Sequence, residues 1–146
     1  MDPRSVLKNI YLFRDATPED LAAVAAIAEP KAYMVAEYIY HSGDVADAFF
    51  VIESGTIDVI LKDQEIPVGS AGSGQALGEM AFFGRGERLA SAITHEPTHV
   101  LRVPFAKLDQ VLVDHPNLAL TLYRHACTFL ARQLRTVAPD LNRRYF

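Results

Sequence analysis

The stretch LGEMAFFGRGERLASA, residues 77–92, carries an acid at Glu79 and, nine positions later, an arginine at Arg88. A short apolar segment and two glycines, Gly84 and Gly86, lie between them. Gly78 before the acid permits a tight bend, and Met80 to Phe83 can form one helical turn. N–H groups opening such a turn point into the bend and favour an anion. Arg88 stands where a strand should resume, and its planar fork suits two phosphate oxygens better than a lysine would. Glu79, facing the same concavity, can accept a hydroxyl. A carboxylate and a guanidinium around one guest make sense when each has its own partner group, and a ribose phosphate supplies both. A surface ion pair explains the same spacing, so the flanking sequence has to decide.

Upstream, Thr17-Pro18-Glu19-Asp20 is a helix start, with a Thr cap, proline at the first helical position and acids in the first turn. Leu21, Val24, Ala25 and Ala28 follow helical spacing, and Pro30 is expected to end the element. From about Lys31 to Leu101, short runs rich in Val, Ile, Phe and Tyr alternate with turn clusters. The clusters are Ser42-Gly43-Asp44, Glu53-Ser54-Gly55, Lys62-Asp63-Gln64-Glu65 and the glycine-rich 69–74 segment GSAGSG. Several short strands at this spacing predict a small antiparallel barrel or jelly roll. Downstream of Pro104 the helical period returns, with a short helix over 105–113 that Asp114-His115-Pro116 breaks. A long helix follows over about 117–137, ahead of Pro139. Its stripe of Leu118, Leu122, Ala126, Leu130 and Leu134 can cover the roll and still offer apolar surface to a partner helix. The fold class is therefore α+β: an antiparallel, jelly-roll-like β-roll between short N-terminal helices and a long C-terminal helix.

Composition sets the outer bounds. Half of the 146 residues are apolar and 22% are charged, which is globular and fits one domain over 1–146. The longest apolar run, residues 21–28, is too short for a bilayer, and the N-terminus lacks a signal-peptide pattern. A lone cysteine, Cys127, fits a reducing cytoplasm. The net charge of −4 argues against nucleic-acid binding. Arg132, Arg135, Arg143 and Arg144 read as a solvated helix face.

No catalytic set is visible. His41, His95, His99, His115 and His125 read as scattered surface groups, and the absence of an H-x-H pair removes the usual ligands of a metal-dependent jelly-roll enzyme. The segment GSAGSG contains neither G-x-S-x-G nor a phosphate-loop pattern and reads as a flexible turn.

Beyond these features, LGEMAFFGRGERLASAIT resembles the phosphate-binding cassette of cyclic nucleotide-binding domains. That pattern is roughly G-E-[LIM]-[AC]-L, a few residues, then R-[small]-A. Gly78, Glu79, Met80 and Ala81 match its first part; Arg88 and Ala90 match its second. SGDVADAFFVIESGTIDV (42–59) is similar to the family's G-D-x-x-D strand-and-turn signature. VPFAKLDQVLVDHP (103–116) resembles the helix leading into the domain's closing helix, and LKNIYLFRDATPEDLAAVA (7–25) its N-terminal helices. The resemblance implies N-terminal helices over 1–30, a β-roll over 31–103 with the cassette at 77–92, and closing helices over 104–138.

It also implies roles. Arg88 would pair with the cyclic phosphate, aided by main-chain N–H groups near Ala81 and Ala90. Glu79 would hold the ribose 2′-hydroxyl, with Gly78 letting the backbone come close. Phe129 falls where a base-capping residue is expected, and Gln133 lies one turn on. Leu89 replaces a small or hydroxyl residue, which favours cAMP over cGMP or narrows the pocket. Ala36 stands where many members have glycine, which affects a turn. Catabolite activator-like regulators append a helix-turn-helix where this sequence has only PDLNRRYF, so the expectation is a stand-alone sensor that does not itself bind DNA. It would signal through its C-terminal helix to a protein partner or a second copy. The alternative is an interaction module of the same fold that binds no nucleotide.

Overall fold

Thr17 caps a helix as expected in the computed structural model, which describes residues 2–64 and 66–138. Pro139, Arg143, Arg144 and Glu65, all used above, lie outside the described residues. The Thr17 hydroxyl accepts from the Asp20 N–H, and the Asp20 carboxylate accepts from the Thr17 N–H, closing a reciprocal capping box. Ahead of this helix, α2 (Pro18–Ile27), come α1 (Pro3–Lys8) and a 3-10 turn at Tyr11–Phe13. The helix ends at Ile27 rather than at Pro30. Pro30 instead lies in β1 (Glu29–Tyr33), an edge strand, where a missing N–H is tolerated.

Two four-stranded antiparallel sheets form the roll. One has the order β1-β8-β3-β6 and the other β2-β7-β4-β5. The strands are β2 (Tyr38–Tyr40), β3 (Ala48–Ser54), β4 (Thr56–Leu61), β5 (Gly69–Gly72), β6 (Ala76–Leu77), β7 (Ala90–Thr94) and β8 (Thr98–Pro104). Strand β3 shows how sequence dictates position. Phe49 and Val51 pack into the core beneath the helices, while Ala48, Phe50 and Ile52 fill the inside of the roll. The period-two alternation thus feeds two cores from one strand, and all five residues are buried. Each fully buried Phe, Ile or Val contributes roughly 1.5–3 kcal/mol.

Four of the six residues in the predicted GSAGSG turn form a strand. Residues 69–72 pair with β4 in the register Ile57↔Ala71 and Val59↔Gly69. Main-chain pairing and burial of Ala71 override the weak strand preference of glycine and serine.

Between β6 and β7 sits α3 (Met80–Gly84), the helical turn anticipated after Glu79. Strand β7 resumes at Ala90, two residues beyond Arg88. Helix α4 (Phe105–Asp114) buries Phe105, Leu108, Val111 and Leu112. His115 breaks the helical path, and Pro116 opens α5 (Pro116–Val137) at its first turn. The stripe on α5 divides in two: Leu118, Leu122 and Ala126 are buried, whereas Leu130, Leu134 and Val137 are exposed. Among the described residues no helix is long and apolar enough to cross a membrane.

Candidate functional site

Arg88 is seated before β7 by its own main chain. Its N–H donates to the Asp44 carbonyl at 2.7 Å, and its carbonyl accepts from the Gly43 N–H at 2.8 Å. The side chain turns inward and is only 6% exposed. Nη2 donates to the Ala48 carbonyl of β3, and the guanidinium lies 4.1 Å from the centroid of the Tyr40 ring. Nε and Nη1 are buried and have no hydrogen-bond partner among the described residues. Burial lowers the guanidinium's affinity for its proton, although arginine stays cationic. Such orphaned cationic donors are costly to bury.

Gly78 makes this seat possible. Its φ of +77° lies in the left-handed region, and a Cβ there would stand 2.6 Å from Arg88 Nη1. The close backbone approach expected at Gly78 is therefore made, in this structure, to the guanidinium.

Glu79 follows at the head of α3 without capping it. Its Oε1 accepts from the Tyr11 hydroxyl at 3.1 Å. Burial raises the Glu79 carboxyl, partly offset by its own main-chain N–H and by Tyr11. Burial also raises the Tyr11 phenol, and the neighbouring Glu79 charge pushes it further. The Tyr11 ring stacks on Phe129 of α5, centroids 4.9 Å apart and planes 20° from parallel.

The chain over 77–80 is a wall between two hollows. Gly78, Met80, Ala81, Arg88, Leu89 and Ala90 line one of about 330 Å³, together with Tyr40 and Arg85. Leu77 and Glu79 line the other, of about 500 Å³, with Tyr11, Phe129, Gln75 and the edge strand β5. Both volumes suit a small molecule, for which about 300–1,000 Å³ is usual. Five of the expected ligand residues thus line one hollow with Arg88, but Glu79 lines the other with Phe129. Among the described residues no ion pair joins Glu79 to Arg88. Gln133 is exposed and lines neither hollow. Leu89 lines the smaller hollow while 85% exposed.

Tyr11 and Tyr40 are the residues that sequence reading missed. Arg85, also overlooked within the quoted stretch, is engaged elsewhere: it spans the Phe82 and Phe105 rings and forms a two-oxygen pair with Asp109 of α4. Two histidines are not the scattered surface groups expected. His115 pairs with Asp20 at 3.2 Å, both largely covered, and His125 bridges the Leu12 carbonyl and Asp15. They tie the α4–α5 junction to α2 and the middle of α5 to the 3-10 turn and Asp15, which a one-dimensional pattern cannot reveal.

The cyclic nucleotide-binding domain model matches residues 30–115, more than half of the chain. The cyclic AMP receptor protein of Thermus thermophilus is 30% identical over 139 residues, covering 93% of this chain and 62% of the receptor. The cAMP-dependent protein kinase regulatory subunit of Candida albicans is 32% identical over 87 residues, 60% of this chain and 18% of that subunit. The chain therefore spans less than two thirds of either relative. Among solved structures, the Thermus thermophilus catabolite activator protein superposes with a TM-score of 0.75 at 25% identity, covering 90% of this chain and 62% of that one. The N-terminal domain of a Streptomyces coelicolor transcriptional regulator shares the fold, with a TM-score of 0.82 at 22% identity over 94% and 96% of the two chains. With the matched model, the two-sheet roll and the cassette in hand, the chain belongs to the cyclic nucleotide-binding domain family.

Proposed function

We propose that this chain is a regulatory module that binds a purine cyclic monophosphate, cAMP in preference to cGMP, and signals by repositioning α5. The observation that carries the reading is Arg88, a buried cation with two orphaned N–H donors beside a hollow large enough for a small anion. Arg88 would take the cyclic phosphate, with main-chain N–H groups near Ala81 and Ala90. Glu79 would take the ribose 2′-hydroxyl, Phe129 would stack on the base, and Gln133 would reach it only if α5 shifts. Leu89 offers no hydroxyl to a guanine amino group, which favours adenine.

Both recognition side chains are held by the protein itself, Glu79 by Tyr11 and Arg88 by Ala48 and Tyr40. A nucleotide reaching both has to re-aim them. That gives it differential affinity for two arrangements, the requirement for any ligand-driven shift. A purine cyclic monophosphate has about 22 heavy atoms, and at about 0.3 kcal/mol each these support binding on the order of 10 μM.

Arg88→Ala removes a charge-assisted contact worth about 1.5–3 kcal/mol, so it should weaken cAMP binding roughly 10- to 150-fold by titration calorimetry. Equal binding by wild type and variant would rule out the assigned role.

A second reading is an interaction module of the same fold without a nucleotide. The exposed Leu130, Leu134 and Val137 on the outer half of α5 favour it. A thermal-shift screen with cAMP, cGMP and cyclic dinucleotides separates the two: stabilisation by none of them leaves the interaction module standing.

A further inference from the structure

Tyr11 joins three parts of the molecule that are far apart in sequence. Its hydroxyl is on Glu79, 68 residues downstream, and its ring is on Phe129 of α5. The same 3-10 turn holds α5 a second time, through the Leu12 carbonyl and His125. Tyr11, Glu79 and Phe129 line one hollow together, on the opposite side of the 77–80 wall from Arg88.

A phenol and a ribose 2′-hydroxyl present the same chemistry to a carboxylate: each is an O–H donor. Glu79 has lone pairs enough for both, so the conflict is one of position, not capacity. While Tyr11 holds Oε1, the carboxylate faces Phe129 and not the hollow around Arg88. A nucleotide whose phosphate sits at Arg88 can bring its ribose hydroxyl to Glu79 only after the carboxylate has left the phenol.

We infer that Tyr11 is a ligand-mimicking latch: it occupies Glu79 in place of the ribose hydroxyl, weakens binding of nucleotides that carry that hydroxyl, and couples ribose recognition to the seating of α5. The inference rests on the cyclic nucleotide reading above and deepens it. When the 2′-hydroxyl displaces the phenol, the Tyr11 ring loses the bond that orients it against Phe129. The signal to α5 then starts at the sugar rather than at the base.

Tyr11→Phe tests this because it deletes the hydroxyl and keeps the ring that stacks on Phe129. Wild type and variant are titrated calorimetrically with cAMP and with 2′-deoxy-cAMP, after thermal melts establish that both are folded. The latch predicts that the variant binds cAMP about 3- to 10-fold more tightly, with 2′-deoxy-cAMP unchanged within about twofold, because the deoxy analogue has no need to free Glu79. Binding of cAMP by the variant alone also supports it. Equal gains for the two ligands, no gain, or a loss overturns the latch while leaving the nucleotide reading intact. Failure of both proteins to bind either ligand overturns the latch together with that reading.

Discussion

Burial raises the Glu79 carboxyl above its ordinary value, and the hydrogen bonds from its own main chain and from Tyr11 only partly oppose that rise. The folded state therefore holds the Glu79 proton more tightly than the unfolded chain does. Its charge costs stability above the folded pKa, and the cost is relieved as pH falls through that value toward the ordinary carboxylate range. Glu79→Gln keeps an acceptor for the Tyr11 hydroxyl but removes the charge. It should make the ligand-free protein more stable than wild type to urea at pH 7, with the advantage vanishing near pH 4. The same substitution should weaken cAMP binding, the usual exchange of stability for recognition. Glu79 and Arg88 were legible because type and spacing survive in one dimension. Tyr11 and Tyr40 were not. Each reaches the site from another element, and an aromatic among apolar neighbours carries no mark of the polar group it will meet.

At the scale of elements, legibility followed local chemistry. The Thr17–Asp20 capping box and the His115–Pro116 break are written in side chains that act on their own backbone, so α2 and the α4–α5 junction stand about where expected. Strand β5 was hidden because its strand character comes from β4, not from Gly69–Gly72 themselves. The turn between β3 and β4 shows the same dependence on a neighbour. Gly55 has φ of +101°, and a Cβ there would collide with the Thr98 hydroxyl and stand 2.7 Å from the Pro97 carbonyl. The obstacle includes main chain, so it cannot rotate away. Gly55→Ala should destabilise the protein by about 2–4 kcal/mol in urea, combining the left-handed backbone with overpacking. Helix α3 is tied on two sides, by Phe83 edge-on to Tyr123 of α5 and by Arg85 to Asp109 of α4. The Arg85 pair is half-exposed, so the ion pair alone contributes about 1 kcal/mol or less.

For the whole molecule, α5 is the element with two loyalties. Its first half is sealed against the 3-10 turn and α4 by Leu118, Leu122 and Ala126, and its second half leaves Leu130, Leu134 and Val137 in water. The proposed partner contact belongs to that second half. With a second copy as the partner, Leu134→Glu should reduce the sedimenting mass to that of a single chain at micromolar concentration, with the melting temperature of the roll unchanged. An unaltered mass would assign those leucines to another role.

Along 77–80 neighbouring residues line different hollows: Leu77 and Glu79 the one beside β5, Gly78 and Met80 the one around Arg88. A one-residue slip there would exchange the tenants, bringing the acid onto the guanidinium and the bare Cα onto the aromatic side. The two charges would then neutralise each other and leave nothing for a guest. The proposed recognition thus depends on parity, on an odd or an even place along four residues.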